Sequence, residues 1–235
     1  MEIKGFIPVS LSDWDGKVSS VLFTPNCNLR CPFCYNKGLV LEPKKMPTIP
    51  LEHVEHYLET NRKWIDGVVI TGGEPTLHAD LASLCEKIKK KGFGVKVDTN
   101  GTHPDIISKL VENELVNYVA LDVKAPLTNE KYSQICGTTA DRLSEKIRET
   151  IKILLTGDVD YEFRTTLVPT LHRVKDVEGI CTAIEGCRKY ALQNFKSEVD
   201  TIDPKFQSLK PFSTRQMESF LKTAKRIVPN TVLRH

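Results

Sequence analysis

Apolar and amphipathic stretches alternate along this chain at a steady pace. Val18–Phe23, Val68–Thr71, Val95–Thr99, Tyr118–Val123, Tyr161–Leu167 and Ala191–Phe195 are short apolar runs of strand length, and Thr231–Arg234 is a candidate for one more. Between them apolar residues recur at helical spacing in Leu51–Trp64, Leu81–Lys91, a segment from Pro104 to about Asn113, Asp141–Leu155, Asp176–Tyr190 and Met217–Ile227. In the second of these, Leu81, Leu84, Cys85 and Ile88 share one face. Pro104 stands at the first turn of its helix, where its missing N–H costs nothing. This alternation predicts an α/β fold of βαβ units around a parallel sheet. Right-handed crossovers leave two outcomes, an open doubly wound sheet or one that curls into a barrel. About six units fall short of the eight that close a full barrel.

Composition narrows the class. At 235 residues with 40% hydrophobic side chains the chain can build one sizeable core, read as one domain over 1–235, with the core at about 17–200 and a terminal helix and strand at about 212–235. A net charge of +3 is too mild to imply nucleic acid. The run Lys89, Lys90, Lys91 reads as cations at a helix carboxyl end. The first ten residues lack the apolar run of a secretory signal, and no stretch approaches a bilayer span, so the chain is read as cytoplasmic. There, seven cysteines argue for thiols or metal rather than disulfides.

Cys27, Cys31 and Cys34 form a Cys-x3-Cys-x2-Cys array with no fourth cysteine near in sequence. Four thiolates would close an iron–sulfur cube or a zinc tetrahedron, whereas three leave one metal position open for a ligand that is not protein. A zinc knuckle would want a fourth Cys or His nearby, and the nearest histidine in sequence is His53. Cys85, Cys136, Cys181 and Cys187 are scattered and read as small core side chains, the last two on one helix.

The remaining polar motifs each follow or end a predicted strand. Gly72-Gly73-Glu74-Pro75 follows the second, Asp98-Thr99-Asn100-Gly101 ends the third, Asp122-Val123-Lys124 ends the fourth, and Arg164 lies within the fifth. The carboxyl ends of parallel strands form the active face of such folds, so these segments should converge on one rim with the cysteines. Gly72 and Gly73 allow the backbone to approach a ligand without a Cβ, or simply make a tight strand-to-helix turn. Glu74 offers a carboxylate to an ammonium group. Asp98 and Asp122 read equally as an oxygen site for a hard cation or as ion-pair partners of Lys96 and Lys124. A buried Arg164 requires an anionic partner.

The cysteine array, with Phe33 just before its last member, resembles the radical S-adenosylmethionine (radical SAM) superfamily, and Gly72-Gly73-Glu74-Pro75 matches its GGEP segment letter for letter. Asp98-Thr99-Asn100-Gly101 and Val119-Ala-Leu-Asp-Val-Lys124 resemble the glycyl-radical-enzyme activase branch, above all the activating components of anaerobic ribonucleoside-triphosphate reductases, over residues 3–212. Asp15-Gly16 fits the branch's lead-in, whose more usual aromatic-then-Pro-Gly sequence is altered here to Trp14-Asp15-Gly16, and Cys34 is followed by Tyr35-Asn36 where many activases have His-Asn. The resemblance implies a partial (β/α)6 barrel of parallel strands with a lateral opening and the active site at the strands' carboxyl ends. It implies a 4Fe–4S cluster on Cys27, Cys31 and Cys34, and SAM held among Phe33, Asn36, Gly72, Gly73, Glu74, Thr99, Asn100, Lys124 and Arg164, with Val168-Pro169 beside the adenine. It also implies a monovalent cation on Asp98, Asp122 and the carbonyls of Thr99 and Ala120, a glycyl radical enzyme as protein substrate, and flavodoxin or ferredoxin as electron donor. A radical SAM enzyme acting on a small molecule, such as a deazaguanine synthase, shares the array and GGEP. A non-catalytic iron–sulfur or zinc module is the third reading.

Overall fold

The computed structural model describes residues 1–138 and 142–234. Its eight strands are β1 Gly5–Ser10, β2 Ser19–Thr24, β3 Gly67–Gly72, β4 Gly94–Thr99, β5 Tyr118–Asp122, β6 Asp160–Leu167, β7 Tyr190–Asn194 and β8 Thr231–Arg234. They form one sheet in chain order, β1 antiparallel to β2 and every later pair parallel. The helices are α1 Lys37–Leu41, α2 Leu51–Thr60, α3 Leu81–Lys90, α4 Pro104–Glu112, α5 Asn129–Cys136, α6 Leu143–Thr156, α7 Val174–Ala183 and α8 Thr214–Lys225. β2 to β7 are each followed by a helix before the next strand, and β1 and β8 are the two sheet edges. This is an α/β fold, a partial (β/α)6 barrel.

The period of two along the strands separates two environments. One face carries Leu22, Val68, Ile70, Val97, Leu121 and Phe163, packed with the helices in the main core. The other face has a small apolar cluster of Trp14, Val21 and Val69, against which Phe23 and Tyr118 pack. Lys96, Asp98, Asp122, Glu162, Arg164 and Arg234 share that inner face by register.

The loop from β1 to β2 closes the amino end of this interior. Trp14 lies over the starts of β3 and β4, where a Cβ on Gly67 would come 2.7 Å from its ring. Asp15 pairs with Lys189 and, at 2.9 Å, with Arg234, which in turn holds Glu162 at 3.0 and 2.7 Å. Lys96 donates to the Asp13 carbonyl and lies 3.4 Å from Glu162. Burial pushes the Glu162 carboxyl up, but the Arg234 hydrogen bond and the Lys96 charge outweigh it and hold it below the usual range. Asp15-Gly16 therefore belongs to the floor of the barrel, and the carboxyl end is the open one.

Several boundaries differ from the sequence reading. The helical stretch at Leu51 stops at Thr60, with Asn61 as its C-cap, rather than reaching Trp64. The stretch expected over Asp176–Tyr190 ends at Ala183, and Gly186, with φ 83°, turns the chain into β7, so Cys187 lies off the helix that carries Cys181. Asp141, the expected start of α6, lies outside the described residues. β1, α1 and α5 are additional elements, and Lys89, Lys90 and Lys91 do end α3.

Candidate active site

All the rim segments meet in one cavity of about 210 Å³ at the carboxyl ends of the strands. Its wall includes Cys27, Cys31 and Cys34, with Phe33 and Asn36 from the same loop. Gly72, Gly73 and Glu74 enter from β3, Asp98, Thr99 and Asn100 from β4, Asp122 and Lys124 from β5, and Arg164 from β6. The cysteines and the residues expected to hold SAM thus line it, together with Leu29, Tyr35, Val40, Thr71 and Thr166, whereas Val168 and Pro169, expected beside the adenine, are not on its wall.

The cysteine loop is tied down on several sides. Asn36 donates through Nδ2 to the Gly72 carbonyl at 2.7 Å, and the Glu74 N–H donates to the Asn26 carbonyl at 2.7 Å. The Asn100 Nδ2 donates to Asn28 at 2.9 Å and to the Cys27 sulfur at 3.7 Å. Tyr35 stacks on Phe195 and its hydroxyl accepts the Lys196 N–H at 2.6 Å, so the segment after β7 reaches across to the loop. The Asp203 N–H donates to the Pro32 carbonyl at 2.9 Å and fixes the other end of that segment.

Burial pushes the Cys27 thiol up to about 11 and raises Cys34 as well. Cys31 lies well above the ordinary thiol range, first through a hydrogen bond with Cys136 and then through burial. Without metal the three sulfurs therefore hold their protons at neutral pH, and metal binding must release them. Three thiols from one short loop facing an open cavity fit a 4Fe–4S cluster with one iron left for an outside ligand.

The two glycines act differently from the sequence reading. A Cβ on Gly72, which has φ 116°, would lie 2.5 Å from the Thr24 nitrogen, and one on Gly73 would lie 2.6 Å from the Asn26 carbonyl carbon and nearer still to its oxygen. Both point at the backbone leading into the cysteine loop, so what they permit is the approach of β3 to that loop. Glu74, buried, is also more than a free carboxylate. Its Oε1 accepts from Thr76 N–H at 3.1 Å, Thr76 hydroxyl at 2.6 Å and Thr99 hydroxyl at 2.7 Å, and its Oε2 accepts the Asn100 N–H at 2.7 Å. The carboxylate joins the β3 and β4 rim segments.

Arg164 lies between the two aspartates. Its Nη1 meets Asp98 at 3.0 Å and its Nε meets Asp122 at 2.9 Å. Lys124 reaches the other Asp122 oxygen at 3.2 Å, and Lys96 is 3.7 Å from Asp98 Oδ1, a buried atom without a hydrogen bond among the described residues. Burial raises the Asp122 carboxyl, but the Arg164 and Lys124 charges prevail and bring it to about 2. The guanidinium and the two lysines thus face the carboxylates that the sequence reading offers to a cation.

Sequence reasoning missed His172. Its Nδ1 accepts the Val168 N–H at 3.0 Å and its Nε2 meets the Lys124 carbonyl at 2.9 Å, which joins the β5 and β6 ends. Burial lowers its pKa, so it is neutral there and donates from Nε2. The apolar spacing around it carries no signal for this role.

The sequence pattern of the Radical SAM superfamily matches residues 21–184. A Methanocaldococcus jannaschii protein named "Putative glycyl-radical enzyme activating enzyme MJ1227" is 35% identical over 233 residues, covering 99% of this chain and 95% of that protein. A 7-carboxy-7-deazaguanine synthase of Halobacterium salinarum is 36% identical over 87 residues, covering 37% of this chain and 33% of that one. Among solved structures, Streptococcus suis SuiB bound to S-adenosylmethionine superposes with a TM-score of 0.67 at 13% identity, over 92% of this chain and 52% of SuiB, which shows a shared fold. No helix among the described residues is long and apolar enough to cross a membrane. The matched pattern includes the thiol loop, the GGEP turn and the strand ends that line the cavity; the chain belongs to the radical SAM superfamily, whose cofactors are a 4Fe–4S cluster and S-adenosylmethionine.

Proposed function

We propose that this enzyme installs a glycyl radical on a partner protein, with an anaerobic ribonucleoside-triphosphate reductase as the substrate and flavodoxin or ferredoxin as the electron source. The observation that carries this reading is the extent of similarity. The match to MJ1227 runs through 99% of the chain, past the superfamily core and into α8 and β8, whereas the deazaguanine synthase match covers 37%.

Cys27, Cys31 and Cys34 hold the cluster. When bound, it supplies one electron to the SAM sulfonium, yielding methionine and a 5′-deoxyadenosyl radical that takes hydrogen from a glycine Cα of the partner. Lys124 offers its ammonium to the SAM carboxylate, and Arg164 with Asp98 and Asp122 forms the polar wall beneath. Phe33 excludes water beside the sulfurs, and Asn36, Thr99 and Asn100 fix the rim. No general base is needed, since what moves is a hydrogen atom. Below the rim the barrel is filled by Lys96, Glu162, Tyr118 and Trp14, which favours a substrate presented at the open end over one enclosed within. Incubating the reduced holoenzyme with SAM and an anaerobic ribonucleotide reductase should give the doublet of a glycyl radical in electron paramagnetic resonance (EPR). SAM cleavage without that doublet, alongside turnover of a small metabolite, would favour the small-molecule reading.

A further inference from the structure

Regular pairing of β5 with β6 ends at Asp122, yet Val123 and Ala125 beyond it are fully buried. Buried backbone groups outside a ladder need other partners, and each one at Val123 and Lys124 has its own. The Val123 N–H donates to the Arg164 carbonyl at 2.9 Å, and the Val123 carbonyl accepts the Thr165 hydroxyl at 2.6 Å. The Lys124 N–H donates to the Tyr132 hydroxyl at 3.0 Å, and the Lys124 carbonyl accepts His172 Nε2 at 2.9 Å. Tyr132 belongs to α5 and His172 to the loop between β6 and α7, so side chains from two separate segments hold the peptide groups on both sides of the Lys124 Cα. Both side chains are buried, and the Val168 N–H fixes His172 in turn at Nδ1.

Lys124 is the residue that this clamp serves. Its ammonium lies on the cavity wall, 3.2 Å from Asp122, at the end of a flexible four-carbon stem. Such a stem reaches a fixed point only when its Cα is fixed as well. Packing in the core needs only the Tyr132 ring, and its hydroxyl meets the Lys124 N–H.

We propose that Tyr132 and His172 are positioning residues that hold the Lys124 backbone and thereby aim its ammonium at the SAM carboxylate. The inference rests on the proposed contact between Lys124 and SAM. It is tested by equilibrium dialysis of SAM against anaerobically reconstituted wild type, Tyr132→Phe, His172→Ala, His172→Gln, Lys124→Met and the Tyr132→Phe, Lys124→Met double variant. Iron content and the urea midpoint are measured in each. Tyr132→Phe with full iron should bind SAM about two- to tenfold more weakly, the factor that one hydrogen bond commands. Added to Lys124→Met, it should weaken binding no further. His172→Ala should show a similar loss, and His172→Gln, whose amide can donate to the Lys124 carbonyl, should recover most of it. Unchanged SAM affinity in Tyr132→Phe, whatever its urea midpoint, would overturn the proposal by making the clamp purely structural. So would a Tyr132→Phe loss that persists undiminished in Lys124→Met, or equal affinities in His172→Ala and His172→Gln. Should Tyr132→Phe lose its iron, the His172 pair decides. Wild-type SAM affinity in Lys124→Met would instead show that the Lys124 contact itself is wrong, and the positioning role would fall with it.

Discussion

Gly73→Ala is the sharpest test of how the GGEP turn works. Ordinary van der Waals contacts of a Cβ begin near 3.4 Å, and here the added carbon would lie 2.6 Å from the Asn26 carbonyl carbon. Because the Asn26 oxygen lies nearer still, relief requires the backbone at Asn26 to move by more than an ångström, or Gly73 to move away from β2. Asn26 precedes Cys27, is held in a left-handed conformation with φ 63°, and accepts the Glu74 N–H at 2.7 Å. Overpacking of this kind costs about 1–3 kcal/mol, and the strained hydrogen bond adds about 0.5–1.5 kcal/mol if it breaks. A loss of about 2–4 kcal/mol is a large share of the stability of an ordinary domain, about 5–15 kcal/mol. The displacement also shifts Cys27, so iron uptake should fall together with stability. Urea unfolding of the apo-protein and iron per chain after reconstitution measure the two effects. Gly16→Ala is the control. Gly16 has φ 74° with nothing within 4 Å of a built Cβ, so it should cost about 1–2 kcal/mol of backbone strain and leave iron uptake unchanged. A Gly73→Ala protein with wild-type unfolding midpoint and full iron would refute the argument that this glycine serves the approach of β3 to the cysteine loop.

Arg164→Gln leaves Asp98 and Asp122 facing each other without their shared cation and should cost about 3 kcal/mol in urea unfolding, with weaker SAM binding by equilibrium dialysis. Tyr35→Phe removes the acceptor of the Lys196 N–H while keeping the stack on Phe195, so amide exchange at Lys196 should accelerate, with about 1 kcal/mol lost. The Cys27 thiol is raised in the fold, so its contribution to apo-protein stability is intact below about pH 9 and is lost as pH rises toward about 11; unfolding curves across that interval should show the decline, and Cys27→Ser should flatten it. His172 is lowered in the fold, so its contribution is present above the pH where a free histidine titrates and falls away under acid; His172→Gln should remove that acid slope in the same measurement.

Much of the fold is legible because the strands that carry the site are buried and apolar on at least one face. Val68–Thr71, Val95–Thr99 and Tyr161–Leu167 declare themselves as strands, and the polar residues at their ends declare the rim. β1 is harder to read because it is an edge strand, mostly exposed and interrupted by Pro8, which an edge tolerates and a central strand does not. The false helix end at Tyr190 had a usable signal in Gly186, whose left-handed turn stops the chain before β7. Within the site, the sequence names the residues but not their partners. That Glu74 joins two strands and that Arg164 spans two aspartates depends on contacts between segments far apart in the chain. Cys136 carries no local signal at all, since only the docking of α5 on the cysteine loop brings its carbonyl to the Arg30 N–H. Trp14 likewise becomes intelligible through Gly67 and Gly94, which leave room for its ring.

The most direct test of the account follows the hydrogen atom. The reduced holoenzyme is incubated with SAM and an anaerobic ribonucleotide reductase deuterated at its glycine Cα positions, and the 5′-deoxyadenosine formed is analysed by mass spectrometry. Deuterium in its methyl group, rising in step with the glycyl radical signal and absent with Cys27→Ala, Cys31→Ala or Cys34→Ala, is the predicted result. Unlabelled 5′-deoxyadenosine at full yield, or label drawn from a free metabolite in its place, would contradict the proposed function.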